Sequence, residues 1–192
     1  MKKTFFRSVY FFAAISVFAF TACDKDDDKQ VIPEEPHNHE EELVTTVKFS
    51  FQDKNDSTAP AIVGQFKDLD GGGKNEPVYT GVTLAANKTY ELTLSLLDES
   101  HDGHAHDLTH EIEEEADDHQ FFYQSTPAGL IAVTPTDKDS KNMPIGLKAD
   151  AVTQAAGSGK LKVVLKHQPG TKDGNITTGG TDIDIELPIS VQ

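Results

Sequence analysis

Hydrophobic and polar residues alternate along most of the chain beyond position 43. In LVTTVKFSF the alternation places Leu43, Thr45, Val47, Phe49 and Phe51 on one face of a strand, and in KTYELTLSLLD it groups Tyr90, Leu92, Leu94 and Leu96. QFFYQST, GLIAVTPT, KLKVVLKHQ and TDIDIELPISV predict four further strands, separated by turns rich in Gly, Pro, Asn and Asp. In KLKVVLKH the pattern buries Leu161, Val163 and Leu165 and turns Lys160, Lys162 and Lys166 to water. One segment has a different period. In DLTHEIEEEADDH, Asp107 to His119, the apolar residues Leu108, Ile112 and Ala116 recur every fourth position, as on one stripe of a short helix. Asp107 or Thr109 is placed to cap it, with Glu111, Glu113 and Glu114 near its positive end. Short strands with one helical excursion predict an all-β fold, an antiparallel immunoglobulin-like β-sandwich. With no Trp and a single Cys, the disulfide and tryptophan of true immunoglobulin domains are missing.

The first 22 residues follow a different logic. Lys2, Lys3 and Arg7 form a basic start, and Ser8 to Phe20 is an uncharged run of thirteen. A membrane-crossing helix needs about 20 apolar residues, so this length suits a secretory signal. The run ends in Phe20-Thr21-Ala22-Cys23, with the sole cysteine of the chain at its end. The pattern resembles a lipobox, although Phe20 stands where that motif more often has Leu. It implies cleavage before Cys23 and lipid on the thiol, and two or three acyl chains suffice for stable membrane attachment. The DKDDDK that follows resembles the acidic export signal of Bacteroidota surface lipoproteins, which implies a domain facing outward from the outer membrane.

Removing residues 1–22 leaves 14 of the 17 basic residues against 32 acidic ones, a net charge of −18. Such a field repels nucleic acid and attracts cations or basic partners. Residues 23–42 carry the lipidated cysteine and nine acidic side chains among few apolar ones, and so read as a disordered, charged tether. The remaining 150 residues, 43–192, suit one domain with one core.

The candidate chemistry lies in the histidines. His37 and His39 fall in the tether, and His101, His104, His106 and His110 fall within ten residues of one another, with Asp102 and Asp107 among them. Imidazole and carboxylate suit Zn²⁺ or a similar divalent transition ion. A helix that starts slightly early would bring His106, His110, Glu113 and Asp117 onto one solvent-facing side, with His101 and His104 folding over from the loop. His119 reads as a junction residue that hydrogen-bonds backbone, and His167 as a strand surface residue. DLDGGGKNEP offers a second cation loop through Asp68, Asp70, Asn75 and Glu76, but the EF-hand order of calcium ligands is absent and a glycine-rich turn explains the same residues. For catalysis the chain offers no thiol beyond the anchor. Its serines lie in no Gly-x-Ser-x-Gly turn, and GGGK lacks the Ser or Thr of a phosphate loop.

The stretches EIEEEADDHQFFY, NMPIGLKA, AAGSGKLKVVLKHQP and GGTDIDIELP, with GQFKDLDGGGKNEPVYTGVTLAANKTYELTLSLLDES before them, resemble a family of small Bacteroidota surface lipoproteins. The resemblance covers most of residues 44–192. Members are often labelled type 1 periplasmic binding fold superfamily, and no function comes with the label. That fold consists of doubly wound α/β lobes with long helices between parallel strands, whereas the periodicity here gives strands and one short helix. The expectation is therefore a non-enzymatic, lipid-anchored surface protein that binds a divalent transition metal and serves an outer-membrane transporter, plausibly TonB-dependent. An interaction or adhesion module with incidental histidines is the alternative.

Overall fold

The computed structural model describes residues 43–100 and 104–192, which form eleven strands and one short helix. The signal segment, Cys23, the tether and His101 lie outside the described residues. One sheet is built from β1 (Thr46–Asp53), β2 (Ile62–Lys67), β3 (Val78–Thr80), β5 (Thr89–Asp98), β8 (Ile131–Pro135) and β9 (Lys148–Thr153), in the order β3-β2-β1-β5-β9-β8. The two-residue β6 (His106–Asp107) pairs with the end of β5. The second sheet is β4-β11-β10-β7, from β4 (Val82–Leu84), β7 (His119–Thr126), β10 (Gly157–His167) and β11 (Gly180–Val191).

The predicted all-β sandwich is the observed class. Its pairings are antiparallel except that β4 runs parallel to β11. β2, β3, β4, β6 and β9 add to the six strands read from periodicity. The alternating residues Val47, Phe49 and Phe51 of β1 are fully buried with Leu92, Leu94 and Leu96 of β5, and they face Leu161, Val163 and Leu165 of β10 and Ile183, Ile185 and Leu187 of β11. Phe51 meets Tyr90 edge-on at 6.4 Å, an arrangement that suits the ring quadrupoles. Each such side chain contributes roughly 1.5–3 kcal/mol on burial. Two details differ from the alternation. Leu43 is 44% exposed, at the frayed entry to β1. Lys166 is buried, its ammonium donating at 2.7 Å to Oγ1 of Thr181, its cross-strand neighbour on β11.

Residues 144–147 link the two sheets. Phe121 N of β7 donates to Ile145 O at 2.7 Å, Leu94 N of β5 donates to Leu147 O at 2.9 Å, and the Tyr123 hydroxyl donates to Gly146 O. Gly146 has φ +95°, and a Cβ there would lie 2.8 Å from the Phe121 Cβ, so no other residue fits this crossing without strain. This segment thus meets the outer edge of β7 at Phe121.

The helical excursion is present but short. α1 spans Thr109–Glu114, with Leu108 and Ile112 buried and Ala116 packed against the core. Thr109 does not cap it. Its hydroxyl accepts from Leu96 N at 3.0 Å and so fastens the helix to β5, while Asp107 Oδ1 accepts from Thr109 N at 2.9 Å. Only Glu111 lies in the first turn. Glu113 and Glu114 close the helix, and together with Glu115, Asp117 and Asp118 they crowd its negative end, which disfavours continuation. Tertiary contacts to residues 116–118 complete the stop.

Phe49→Ala, at the centre of this core, should cost about 3–5 kcal/mol, whereas Val63→Ala on the solvent face should change stability by less than about 0.5 kcal/mol. Urea unfolding of the two variants checks the difference.

Candidate metal site

β7 lies antiparallel on β10 in a register that sets Phe121 opposite Leu165 and His119 opposite His167. Side chains on a strand alternate, so the two histidines share the inward face of these core residues, at the end of the sandwich where the sheet runs out. Their rings stack with centroids 4.6 Å apart and planes within 8°. The turn that follows α1 brings Glu115 over them. One donor atom from each of Glu115, His119 and His167 lies within 4.8 Å of the other two, and these three side chains could hold a metal ion.

His119 is 5% exposed. Its Nδ1 lies 3.1 Å from the Glu115 carbonyl and 3.9 Å from the Glu115 carboxylate. A carbonyl can only accept, so Nδ1 carries the proton and Nε2 of the neutral ring keeps its lone pair. Burial pushes the His119 pKa down from its ordinary value near 6.5, the hydrogen bond to Glu115 O opposes that shift, and the neighbouring His167 adds to it. A neutral imidazole is the ligating form.

The stack itself is not a finished coordination sphere. An imidazole lone pair lies in the ring plane, and two parallel, offset planes share no point at which one ion could meet both lone pairs. Zn–N bonds of about 2.0–2.1 Å put two tetrahedral donors roughly 3.4 Å apart. One ring must therefore turn as the donors close.

Polar contacts fix the turn that carries Glu115. Asp118 O accepts from Gln168 N at 2.6 Å and Asp118 Oδ1 from Gly170 N at 2.9 Å. Asp117 accepts from Ser140 N and Oγ, which pull its pKa below the usual carboxylate value. Beside the turn lies an open concavity of ≈540 Å³ whose walls include Glu113, Glu114, Glu115, Asp117 and Asp118.

The histidines singled out by local density are placed differently. His104 is exposed, and His106 sits on β6, before the helix, with its Nε2 3.2 Å from Glu111 Oε1. His110 Nε2 lies 3.2 Å from Glu114 Oε1. Glu113 faces Lys148 at 3.7 Å, and Asp117 faces Ser140 and Lys141. The single helical face expected for His106, His110, Glu113 and Asp117 is not formed, because α1 begins at Thr109 and ends at Glu114. Each imidazole of this face has a carboxylate of its own.

In the glycine-rich loop, Asp70 Oδ2 accepts from Lys74 N, Asn75 N and Asn75 Nδ2, and Asp68 Oδ2 accepts from Gly72 N. The Asn75 and Lys74 amides hold the Asp70 pKa down. These carboxylates serve the turn's own N–H groups, as in an Asx-type turn. Glu76 lies beside them in the same loop.

Sequence reasoning set His119 and His167 aside, although it gave His119 its backbone hydrogen bond. The available signal was parity: His167 continues the buried series Leu161, Val163, Leu165, and His119 stands two residues before the buried Phe121.

No family model matches this chain, and no curated protein matches it. Among solved structures, domains 4 and 5 of the S-layer protein SbsC are similar at 15% identity, over 74% of this chain and 75% of that one, with a TM-score of 0.31.

In the unfolded chain the His119 ring ionises near its ordinary value of 6.5, whereas the folded protein resists that proton to lower pH. Stability should therefore be full above about pH 6.5 and fall as the pH drops below it. His119→Phe keeps a ring and removes the titration, so melting temperature followed from pH 7.5 to 5.5 should decline less in the variant than in the parent. Equal slopes would remove His119 from the acid response.

Proposed function

We propose that this chain is a lipoprotein, anchored through Cys23 to the outer membrane and facing outward, whose sandwich domain binds a divalent transition ion of zinc-like character between Glu115, His119 and His167. The observation that carries this reading is the convergence of one carboxylate and two imidazoles within 4.8 Å at the end of the β7–β10 pair. Nitrogen donors favour borderline ions such as Zn²⁺ over Ca²⁺ or Mg²⁺, which prefer oxygen. Three protein donors leave room for water or for a donor from a partner. The acidic surface supports capture of cations from dilute solution, and the anchor supports transfer to a TonB-dependent outer-membrane transporter. Among the described residues no helix is long and apolar enough to cross a membrane. In this reading attachment is through lipid at Cys23.

Calorimetric titration of the mature chain with Zn²⁺ tests the site. His119→Ala and His167→Ala should each weaken binding by about 100-fold, and binding should also weaken as the pH falls below about 6.5. The triple variant His104→Ala/His106→Ala/His110→Ala should stay within about threefold of the parent. The opposite ranking would move the site to the loop, and a parent without Zn²⁺ heat would end the metal reading.

The address has a separate test. Cys23→Ala should abolish labelling by radioactive palmitate and release the protein from the membrane fraction; a variant that stays membrane-bound would contradict the lipid anchor.

A further inference from the structure

Behind the turn that carries Glu115 lies an ion pair removed from water. The Lys172 Nζ is 2.8 Å from Asp139 Oδ2, and the two side chains are 1% and 0% exposed. The same ammonium donates to the Ala116 carbonyl at 2.8 Å, one residue after Glu115. The other oxygen of Asp139 accepts from Lys141 N at 2.9 Å and Met143 N at 2.7 Å. Burial works against the Asp139 charge, yet the Lys172 ammonium and the Met143 and Lys141 amides hold its pKa below the ordinary value.

A buried pair is a poor source of net stability, since desolvation cancels much of the attraction, and apolar side chains of similar size often serve as well. Its geometry offers a different use. Three chain segments meet at this ammonium: the 115–118 turn, the 138–143 loop and the segment after β10. That last segment begins at Gln168, directly after His167. Lys172 thus ties the Glu115 turn to the strand end that bears the second imidazole, behind the ligands rather than among them.

We propose that Lys172, held by Asp139, is the positioning residue of the metal site, fixing the turn so that the Glu115 carboxylate faces His119 and His167. This inference rests on the metal-binding reading above and adds a residue to it. Groups that orient ligands without touching the ion typically change affinity by 10–100-fold when removed. The direction of the effect is diagnostic. Loss of a positive charge near a cation site tightens binding by Coulomb's law alone, so a weaker site in Lys172→Met reports lost positioning. In a variant that removes the ammonium and the Asp139 charge together the net charge is unchanged, and weaker binding again reports positioning.

The test is Zn²⁺ titration of the full mature chain by calorimetry, with Lys172→Met and with Lys172→Met/Asp139→Asn. The double variant leaves no buried unpaired charge and keeps an acceptor for the Lys141 and Met143 amides, so it stays testable where the single variant does not fold. Cooperative thermal unfolding confirms that the titrated protein is native. Binding about 10-fold weaker or more in the folded double variant is expected. Equal or tighter binding there overturns the positioning role while leaving Glu115, His119 and His167 as the site. A parent chain that gives no Zn²⁺ heat overturns the metal reading, and the positioning role with it.

Discussion

In the pairing of β7 with β10, Phe121 lies opposite Leu165, and two residues away His119 lies opposite His167. A slip of one residue would turn Phe121 out of the core and carry His119 to the other face, so the burial that stabilises the sandwich also fixes which imidazoles meet. The register is held from both sides. Residues 144–147 close the outer edge of β7 through Phe121 N and the Tyr123 hydroxyl, and β11 pairs along the whole of β10. The pairing of β11 with β10 shifts between Leu165 and Lys166, just before His167. Such irregularities re-aim side chains locally, and this one falls where the apolar series gives way to the imidazole.

Polar groups buried at this end of the sandwich set the limits of what it can do. A neutral His119 avoids the cost of burying a charge, and its hydrogen bond to Glu115 O satisfies the proton it keeps. Lys172 and Asp139 are buried together, and each has its partner and further hydrogen bonds. The result is a turn with few alternative positions, although its sequence, EEEADD, has strong self-repulsion and little apolar content. Hydrogen bonds from Gln168, Gly170, Ser140 and Lys172 do what local preference would not.

Alternation exposed β1, β5, β10 and β11 in the sequence because their inward positions are large and apolar. β9 was harder to see, since its inward residues are Ala149, Ala151 and Thr153, small side chains opposite the bulky face of β5. β3 and β4 have three residues each, too few to show a period. Density along the chain pointed to the histidines between 101 and 110, yet residues close in sequence on a loop and a short helix diverge in space, and His106 and His110 each face a separate glutamate. His119 and His167 are 48 positions apart and meet only through strand pairing. Their shared parity with buried neighbours was legible; the register that joins them was not, because it depends on which strands become neighbours.

Charge and coordination act here at different ranges. A chain with 32 acidic and 17 basic residues draws cations of every kind toward it, with a reach of about 8 Å per Debye length at physiological salt. That field does not distinguish calcium from zinc, and carboxylates such as Asp70, Asp117 and Asp139 are engaged by amides, hydroxyls or ammonium groups. Selectivity needs donors that one class of ion prefers, and neutral nitrogen supplies it. A divalent ion held by one carboxylate and two neutral imidazoles keeps one unit of positive charge. Glu113, Glu114, Asp117 and Asp118 line the adjoining concavity, where their charges would offset that of an ion in the proposed site. In the proposed site the acidic turn would lower the potential, and the imidazole pair would decide which ion stays there.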